Sequence, residues 1–454
     1  MRDVLIIGAG PAGLFAASEL VKAGLTVAIL DRGEAMERRK CPETKMCDCP
    51  VCSMLCGIGG AGGFSDGKNT LSIGRGTQGE RIFEEEDLAI MEFVDEEVAR
   101  MAETIGVQQR EVDDTGEFSR FGFRFGSYPL RHVGSDGIRK SICVMHDELE
   151  KKGVDIFTNV MVDDVGRFGP DFVIRAHDSV YDCDPILFYA KKVIIASGLD
   201  GAPWLSVLAD KLGIGTSTGP AGFGLRLETA SEILEPLFST FYDWKMERGR
   251  LRSFCCNHEG MIVNENHKSL GVKNVNGHSF LDPARRTDSS NCAIIAKIQP
   301  AMTATGDPQT EVVEMARAIN ADAQGHTAFQ TVVDFLNGRP TFYKDAGHGV
   351  RTNYQSEGGV DIGKHLDRIP GLLDDYREYL KALDEIVPGV IDGSSLIYGP
   401  EVKYYARKLV LDEWECPEIP GLFIVGNATG YLDSFVAAAT SGVLAAKKII
   451  TEVN

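Results

Sequence analysis

The first residues that could do chemistry form a glycine pattern near the amino terminus. The pattern is G-x-G-x-x-G, and its residues are Gly8, Gly10, Pro11, Ala12 and Gly13. Gly8 permits a tight turn, Gly10 lets a pyrophosphate approach the backbone, and Gly13 lets a helix pack close to a strand. Asp31 follows 18 residues after Gly13, where a carboxylate accepts the hydroxyls of an adenosine ribose. The spacing predicts a dinucleotide-binding turn.

The elements around this turn complete a unit of strand, helix and strand. Residues 4–7 are a continuous apolar run typical of a buried parallel strand, residues 14–23 have the pattern of a helix, and residues 25–30 form a second strand. The amino terminus of the helix then faces the phosphates. Pro11 and the place of the motif at the start of the chain favour FAD over NAD, and Asp31 disfavours a 2′-phosphate on the ribose.

A second glycine-rich segment occupies residues 57–67. Six of its eleven positions are glycine, so its backbone amides can lie against a ligand. The segment follows the first unit at the distance that an FAD-binding fold requires, and we expect it to pass beside the pyrophosphate and the flavin. The residues expected to contact the cofactor here are Gly60, Gly62, Gly63, Ser65 and Asp66.

Later segments occur in an order known from flavoproteins. A predicted helix over 136–152 leads through short strands between residues 154 and 176 to the run VIIASG at 193–198, and a final strand, loop and helix follow within 419–442. This order resembles the FAD domain of the glutathione reductase family. The resemblance implies cofactor contacts from these segments and from the end of the second strand, which we assign to Arg32, Val160, Ser197, Gly198, Gly426, Asn427, Ser434 and Phe435.

The carboxyl-terminal segment departs from the family at one residue, and its helix is expected to act electrostatically on the flavin. The family commonly places an acid where this chain has Asn427, and an amide can still hydrogen-bond a hydroxyl. A helix that begins near Ser434 should aim its amino-terminal amides at the pyrimidine edge of the flavin. That placement would favour negative charge on the reduced flavin.

Four further stretches carry a closer resemblance. They are CGIGGAGGFSDGK at 56–68, GFGLRLE at 222–228, VNGHS at 275–279 and GNATGY at 426–431. They resemble a poorly characterised bacterial and archaeal family of FAD-dependent dehydrogenases, which is distantly similar to geranylgeranyl reductases. The similarity spans the chain and implies a flavoenzyme fold with bound FAD, whereas it does not supply the substrate.

The motifs predict an α/β fold class, with a Rossmann-like FAD-binding domain of the glutathione-reductase type and an inserted α+β substrate domain. The FAD domain is expected in three parts, at residues 1–75, 136–200 and 386–454. A helical insertion is expected at residues 76–135, and a substrate or cap domain at residues 201–385.

A group of cysteines early in the chain could do metal or redox chemistry. Its members are Cys41, Cys47, Cys49, Cys52 and Cys56. Thiolates suit zinc or iron, so one interpretation is a zinc site or an iron–sulfur cluster whose ligands are Cys47, Cys49, Cys52 and Cys56. A second interpretation makes Cys52 and Cys56 a redox-active pair facing the flavin. A third treats all five as inert thiols, and the sequence leaves the three open.

One histidine of the inserted domain lies in a glycine-containing turn. His278 could protonate a substrate atom, because the pKa of a histidine lies near neutrality, or it could bond a backbone carbonyl. No second dinucleotide motif framed by a strand and a helix follows in the sequence. The electrons would therefore come from transient NAD(P)H, from the substrate or from a protein donor.

Charge and hydropathy bear on the class of protein. The chain has 66 acidic and 47 basic side chains and a net charge of −19, which argues against nucleic-acid binding, including that of a tRNA-modifying flavoprotein. No apolar run is long enough to span a membrane, and the first residues lack the features of a secretory leader. We therefore expect a cytoplasmic protein without a membrane partner.

Two functions follow from these motifs. The leading hypothesis is an FAD-dependent oxidoreductase that dehydrogenates a small organic substrate or reduces a polarised double bond. The alternative is a flavin and iron–sulfur protein that transfers electrons to a redox protein partner, or senses redox state, through the cysteines of residues 41–56. The sequence does not indicate an oligomeric state.

Overall fold

The computed structural model describes residues 1–41, 49, 51–74, 82–181, 184–342, 356–403 and 406–453. Its strands are β1 (Arg2–Ile7), β2 (Val27–Leu30), β3 (Lys68–Thr70), β4 (Val107–Gln109), β5 (Arg124–Ser127), β6 (Leu130–His132), β7 (Asp155–Phe157), β8 (Val160–Phe168), β9 (Asp171–Asp178), β10 (Ile186–Ile195), β11 (Thr216–Ser217), β12 (Ala221–Ala230), β13 (Trp244–Arg248), β14 (Leu251–Asn257), β15 (Met261–His267), β16 (Val272–His278), β17 (Ser289–Ile298), β18 (Ala328–Thr331), β19 (Leu396–Lys403), β20 (Lys408–Leu409) and β21 (Leu422–Ile424). Its α-helices are α1 (Pro11–Lys22), α2 (Leu88–Ala102), α3 (Gly134–Lys151), α4 (Ala202–Leu212), α5 (Ser231–Phe238), α6 (Pro308–Asp322), α7 (Val332–Leu336), α8 (Gly363–Leu366), α9 (Leu372–Ile386) and α10 (Phe435–Val453). None of these helices is both long enough and apolar enough to cross a membrane.

Within the described residues, the first lobe is built on a seven-stranded sheet. Strands β7, β2, β1 and β10 lie side by side and parallel, β21 pairs with the end of β10, and β9 and β8 add an antiparallel extension. Helices α1, α2, α3 and α10 bury one face of the sheet, and α4 packs against the other. Burial on both faces explains the continuous apolar run of β1. The predicted α/β class with a Rossmann-type domain is confirmed.

The second lobe holds an antiparallel sheet, whose described strands follow the order β18-β19-β12-β17-β14-β13-β5. Helices α5 to α9 cover one of its faces and share a core with it. The opposite face contributes to the cavity described below. The hairpin of β15 and β16 and a small sheet of β3, β6 and β4 complete this lobe and its junction with the first.

The strands and helices of the two lobes place three domain limits at residues other than the predicted ones. The segment expected as a helical insertion contains α2 but also β5, which pairs with β13 in the second sheet. Helix α4 packs on the first sheet, so the second lobe begins later than residue 201. Strand β19 lies inside the second sheet, so the chain returns to the first lobe after residue 403 rather than at residue 386. Strand partners are set by long-range pairing, which local sequence patterns do not reveal.

Candidate dinucleotide and substrate site

The glycine motif lies at the carboxyl end of β1, where the chain turns into α1. Gly8 has a left-handed backbone with φ of 106°, and a side chain there would collide with the carbonyl oxygen of Ala196, which follows β10. A side chain at Gly13 would collide with the carbonyl oxygen of Gly8. The two glycines therefore keep strand and helix in close contact, as the spacing predicted.

Gly10 serves to leave open space rather than to allow a special backbone conformation, because any residue could adopt the conformation that it has. Its φ of −73° and ψ of −178° are extended, and the nearest atom that a Cβ would meet is the Cα of Gly60 at 4.0 Å. None of the described side chains caps the amino terminus of α1, whose first residue is Pro11. Open space and uncapped helix amides thus face the same cavity. This is the arrangement that a pyrophosphate requires.

Asp31 lies at the end of β2 and is almost fully buried. Its carboxylate accepts the backbone N–H groups of Ala9 at 2.8 Å, Gly33 at 2.9 Å and Gly57 at 2.8 Å. A carboxylate has about four acceptor positions, so one remains for a ribose hydroxyl on the side that lines the cavity. Asp31 therefore also ties the motif to the glycine-rich segment, which the sequence did not indicate.

The glycine-rich segment is held by a buried arginine that sequence reasoning missed. The Arg39 guanidinium donates to four carbonyl oxygens, those of Ser53 at 3.0 Å, Met54 at 3.1 Å, Ile58 at 2.6 Å and Gly60 at 2.8 Å. A Cβ on Gly62 would come within 3.0 Å of the Phe435 ring, so the segment also touches the start of α10. Arg39 lies in a run of basic residues from Arg38 to Lys40, and nothing in that run marks it in the sequence for this role.

The part of the cavity beside Asp31 is formed by residues near Arg32. The Arg32 guanidinium forms an ion pair with Asp200, just beyond the end of β10. Val160, Ser197 and Gly198 line the same part of the cavity. The Ser197 hydroxyl is buried without a hydrogen-bond partner among the described residues, so it can bond a ligand there.

The carboxyl-terminal segment brings the start of α10 to the cavity. The helix begins at Phe435, and the Ser434 hydroxyl caps it by accepting the N–H of Ala437 at 3.1 Å. Gly426 and Asn427 approach from the loop after β21. The helix start predicted near Ser434 is therefore confirmed, and its position fits the proposed flavin contact.

These groups line a cavity of about 940 Å³. The expected cofactor residues found on its wall are Gly8, Gly10, Pro11, Ala12, Asp31, Arg32, Gly60, Gly62, Ser65, Asp66, Val160, Ser197, Gly198, Gly426, Asn427, Ser434 and Phe435. Gly13 and Gly63 lie behind the wall, where they allow close packing against Gly8 and Met36. The opposite wall comes from the second sheet and the hairpin. The open side of Gly10, the helix amides and the orphaned Ser197 hydroxyl together fit a dinucleotide.

The cysteine segment does not form a metal site within the described residues. Cys47 lies outside them. Among the residues that the structure describes, the one group of three close enough to share an ion consists of His146, Asp147 and Glu150. Cys49, Cys52 and Cys56 are therefore too far apart to share one ion, and the structure gives no support to the zinc or iron–sulfur interpretation.

Cys52 and Cys56 lie on one turn, in which the N–H of Cys56 donates to the carbonyl oxygen of Cys52 at 2.9 Å. Burial raises the pKa of Cys52 to about 11 and that of Cys56 to about 12. Cys56 lines the cavity, with its sulfur 3.8 Å from the Asp200 carboxylate, and Cys52 lies behind it. The surroundings therefore disfavour the thiolate that a redox pair requires.

His278 lies at the end of β16 and is not among the described residues that line the cavity. Burial lowers its pKa to about 4, so it is neutral at neutral pH and poorly suited to donate a proton. The histidine on the cavity wall is His267, at the opposite end of the hairpin. Its Nε2 lies 3.4 Å from Glu265, and its Nδ1 lies 3.9 Å from Asp200. The signal for His267 was the alternation Glu265-x-His267, which places both on one face of β15.

A second charged group, of which the sequence had singled out only Asp66, joins the glycine-rich segment to the second sheet. Lys68 Nζ lies 3.1 Å from Asp66 and 3.8 Å from Asp243, and Lys245 Nζ lies 2.6 Å from Asp243. All four side chains line the cavity. Burial opposes ionisation of Asp243, but Lys245 and Lys68 lower its pKa to about 2. The group is therefore ionised at neutral pH.

Comparisons with known proteins bear on the first lobe. Residues 1–40 match the FAD binding domain family. No curated protein matches the chain significantly. Similar solved structures include a flavoprotein/dehydrogenase from Cytophaga hutchinsonii, with 15% identity, a TM-score of 0.44 and coverage of 99% of this chain and 78% of that one. Glycine oxidase from Geobacillus kaustophilus shows 13% identity, a TM-score of 0.46 and coverage of 99% and 95%. CtdE in complex with FAD shows 11% identity, a TM-score of 0.39 and coverage of 98% and 82%.

The family match covers the motif turn, α1 and Asp31. The finer resemblances, to the glutathione reductase family and to the dehydrogenases related to geranylgeranyl reductases, stay predictions, because the match ends at residue 40. The matched residues and the geometry of the cleft support FAD as the dinucleotide.

Proposed function

We propose that this protein is an oxidoreductase that exchanges two electrons between FAD and a small organic substrate, by dehydrogenation or by reduction of a polarised double bond. The observation that carries the proposal is the shared cavity, which has the dinucleotide residues on one wall and a charged wall from the second sheet opposite. When bound, FAD supplies the two-electron chemistry. The chain supplies binding, orientation and proton handling.

The first lobe would hold the cofactor with backbone groups and one acid. The amides at the start of α1 and the open side of Gly10 suit the pyrophosphate, and Asp31 suits the ribose. The start of α10 lies on the same cavity, where its positive end favours negative charge on a bound ring. Ser197 offers a hydroxyl that has no partner among the described residues.

His267 is the side chain best placed to hold or release a proton on the second wall. It is buried, and its two ring nitrogens face Glu265 and Asp200. Burial alone would raise the pKa of Glu265, but Lys403 and His267 lower it to about 2. Glu265 is therefore ionised at neutral pH, and its carboxylate can accept a hydrogen bond from the imidazole of His267 and orient that ring on the cavity wall. In this proposal His267 takes the role that the sequence assigned to His278.

The electron donor is part of the same proposal. Transient NAD(P)H or the substrate itself would reduce the flavin, because burial disfavours the thiolates of Cys52 and Cys56 that transfer from a protein donor through these cysteines would need. The iron–sulfur alternative is not favoured by any contact among the described residues.

The test is the visible absorption spectrum of protein purified without oxygen, recorded before and after addition of NADH. We expect flavin bands without an underlying broad absorption. Bleaching by NADH would favour a reductase, and persistence of the bands would favour a dehydrogenase that takes electrons from its substrate. Absence of flavin would overturn the proposal, and broad absorption that Cys49→Ser abolishes would support the iron–sulfur alternative.

A second measurement tests the role of His267. His267→Asn should slow flavin reduction, because it removes the imidazole beside Glu265. His278→Asn is the matched control, since His278 is not among the described residues that line the cavity, and it should leave the rate of flavin reduction unchanged. A rate lowered by His278→Asn and not by His267→Asn would contradict the assignment.

A further inference from the structure

The hairpin of β15 and β16 is attached to the second lobe by two asparagine side chains. Asn274 on β16 accepts the N–H of Val402 on β19 at 3.1 Å and donates to the carbonyl oxygen of Val402 at 3.3 Å. Asn320 on α6 does the same to Lys273, accepting its N–H at 2.9 Å and donating to its carbonyl oxygen at 3.1 Å. A side-chain amide that bonds both backbone groups of one residue fixes the strand at that residue. The hairpin therefore belongs to the second lobe.

The tip of the hairpin reaches the first lobe at Asp200. The Ser269 hydroxyl, in the turn between β15 and β16, donates to Asp200 Oδ1 at 2.9 Å. The other carboxylate oxygen of Asp200 bonds the Arg32 guanidinium. Arg32 directly follows Asp31, the acid that suits the ribose. A contact made by the second lobe therefore ends beside the place expected for the ribose of the cofactor.

Between its tip and its base the hairpin lies along the cavity. Val263 on β15 packs against a buried cluster of the segment that precedes the glycine-rich residues, formed by Cys52, Met54, Leu55 and Cys56. Just after β16, the carbonyl oxygen of Ser279 accepts the N–H of Ser135 on α3 at 2.8 Å. The hairpin residues that line the cavity are Glu265, His267, Asn276 and Gly277. The hairpin thus forms one side of the cavity and contacts the first lobe at its tip, along β15 and beyond its base.

We infer that this hairpin is a strap that closes the cavity over bound FAD, and that the bond of Ser269 to Asp200 fastens its tip. The cofactor lies between Asp31 and the hairpin, so it enters and leaves when the tip separates from Asp200. The inference goes beyond the proposed function to the exchange of the cofactor. It rests on that function, because FAD is the ligand that the strap retains.

The positions of Ser269 and Asp200 suit a contact that opens and closes. Ser269 is exposed, so water can replace its hydrogen bond when the tip lifts. Asp200 is buried and lines the cavity, and its ion pair with Arg32 holds the carboxylate in place while the tip moves. A hydrogen bond to a charged acceptor is stronger than one between neutral groups, which favours the closed position. Ser269 is not among the described residues that line the cavity, so it restrains the hairpin without touching the ligand.

The test measures the rates at which FAD enters and leaves the full chain. Release is followed by the rise of FAD fluorescence after dilution of the loaded protein, and entry by rapid mixing of the apoprotein with FAD. In Ser269→Ala we expect both rates to rise about tenfold, because the variant loses one hydrogen bond to a charged group. The Kd, which is the ratio of the two rates, should change less than about threefold, because the strap is loosened in the free and in the loaded protein alike.

Two variants serve as matched controls. Ser269→Thr keeps the hydroxyl and should keep both rates near those of the unmodified protein. Ser394→Ala removes a comparable bond, which the Ser394 hydroxyl donates to Asp392 at 2.7 Å, and neither of these residues is among the described ones that line the cavity. Ser394→Ala should leave both rates unchanged. The unfolding midpoint of each apoprotein shows whether the variants are folded.

The outcomes separate this inference from the proposed function. Release of FAD from Ser269→Ala at the rate of the unmodified protein would overturn the inference, since the cofactor would then leave by another route. Faster release with unchanged entry would also overturn it, because the serine would then stabilise the loaded state alone. Equal acceleration in Ser394→Ala would assign the effect to a general loosening of the second lobe and overturn it as well. All three results leave the proposed function standing, whereas an unmodified protein that holds no flavin would overturn both.

Discussion

Replacement of Gly10 by alanine should remove FAD while leaving the protein folded. The backbone of Gly10, with φ of −73° and ψ of −178°, accepts any residue, and the nearest atom to the new methyl group would be the Cα of Gly60 at 4.0 Å. An alanine in place of glycine at a helix N-cap costs less than about 1 kcal/mol. The methyl group would, however, occupy the space in front of the α1 amides.

The expected loss of affinity follows from the contacts that the methyl group would block. A hydrogen bond from a backbone amide to a charged group is worth about 1.5–3 kcal/mol, so the loss of one or two such bonds to the pyrophosphate costs about 3 kcal/mol. This loss corresponds to a Kd on the order of 100-fold higher. The protein should therefore be purified with little flavin.

The assay compares the ratio of FAD to protein after purification, the Kd for FAD from fluorescence titration of the apoprotein, and the thermal unfolding midpoint of the apoprotein. Gly166→Ala is the control, because Gly166 lies on β8 of the same lobe and a Cβ there makes one ordinary contact, with Val173 at 3.7 Å. The reasoning is refuted if Gly10→Ala binds FAD as tightly as Gly166→Ala does. It is also refuted if Gly10→Ala unfolds the apoprotein.

Three further predictions test the thiols, the hairpin histidine and the buried ion pair. Cys52 and Cys56 should react slowly with a thiol reagent at pH 8, because pKa values of about 11 and about 12 leave a fraction on the order of 10⁻³ or less of each thiol ionised. Rapid labelling of these two cysteines in the native protein would contradict this prediction. The unfolding midpoint should fall as pH drops from 6.5 to 4, because burial lowers the pKa of His278 to about 4 and only the unfolded chain is protonated at this residue in that range. The difference in pKa corresponds to a loss of about 3 kcal/mol in the free energy of unfolding. A fall of the same size in His278→Gln would disprove this origin. Glu401→Gln should destabilise the fold by about 3–5 kcal/mol, because it leaves the Arg226 guanidinium buried without a counter-charge. The double variant with methionine at both positions should recover most of this loss. Equal losses of stability in the single and the double variant would rule out this explanation.

The first lobe could be predicted because its information is local. The apolar run of β1, the glycine motif and Asp31 lie within 31 residues, and each has a physical reason that applies in any sequence context. The start of α10 at Phe435 could also be predicted, since Ser434 is a favourable capping residue. Contacts such as those of Asp31 with Gly33 and Gly57 could not be predicted, because they depend on how two loops fold together.

The second wall could not be predicted, because its residues come from distant strands. Lys68, Asp243 and Lys245 meet through the pairing of separate segments, and no spacing in the sequence marks them. The histidine chosen from sequence, His278, belongs to a motif that predicted a glycine-containing turn, but it lies at the end of strand β16. The histidine on the wall, His267, lies in the ordinary polar strand β15. Which end of a hairpin faces a cavity is decided by tertiary packing.

The buried pair of Arg226 and Glu401 connects this packing to the wall. Arg226 contacts the Asn276 side-chain oxygen at 3.4 Å, the Asn276 amide donates to Glu265 at 2.5 Å, and Glu265 lies 3.4 Å from His267. A chain of polar contacts therefore runs from inside the second sheet to the histidine on the cavity wall. Because a buried charge without its partner is costly, the pair restrains the position of Asn276 and, through it, of Glu265. Glu401→Gln should thus lower the rate of flavin reduction as well as stability, and a rate equal to that of the unmodified protein would show that the pair serves the fold alone.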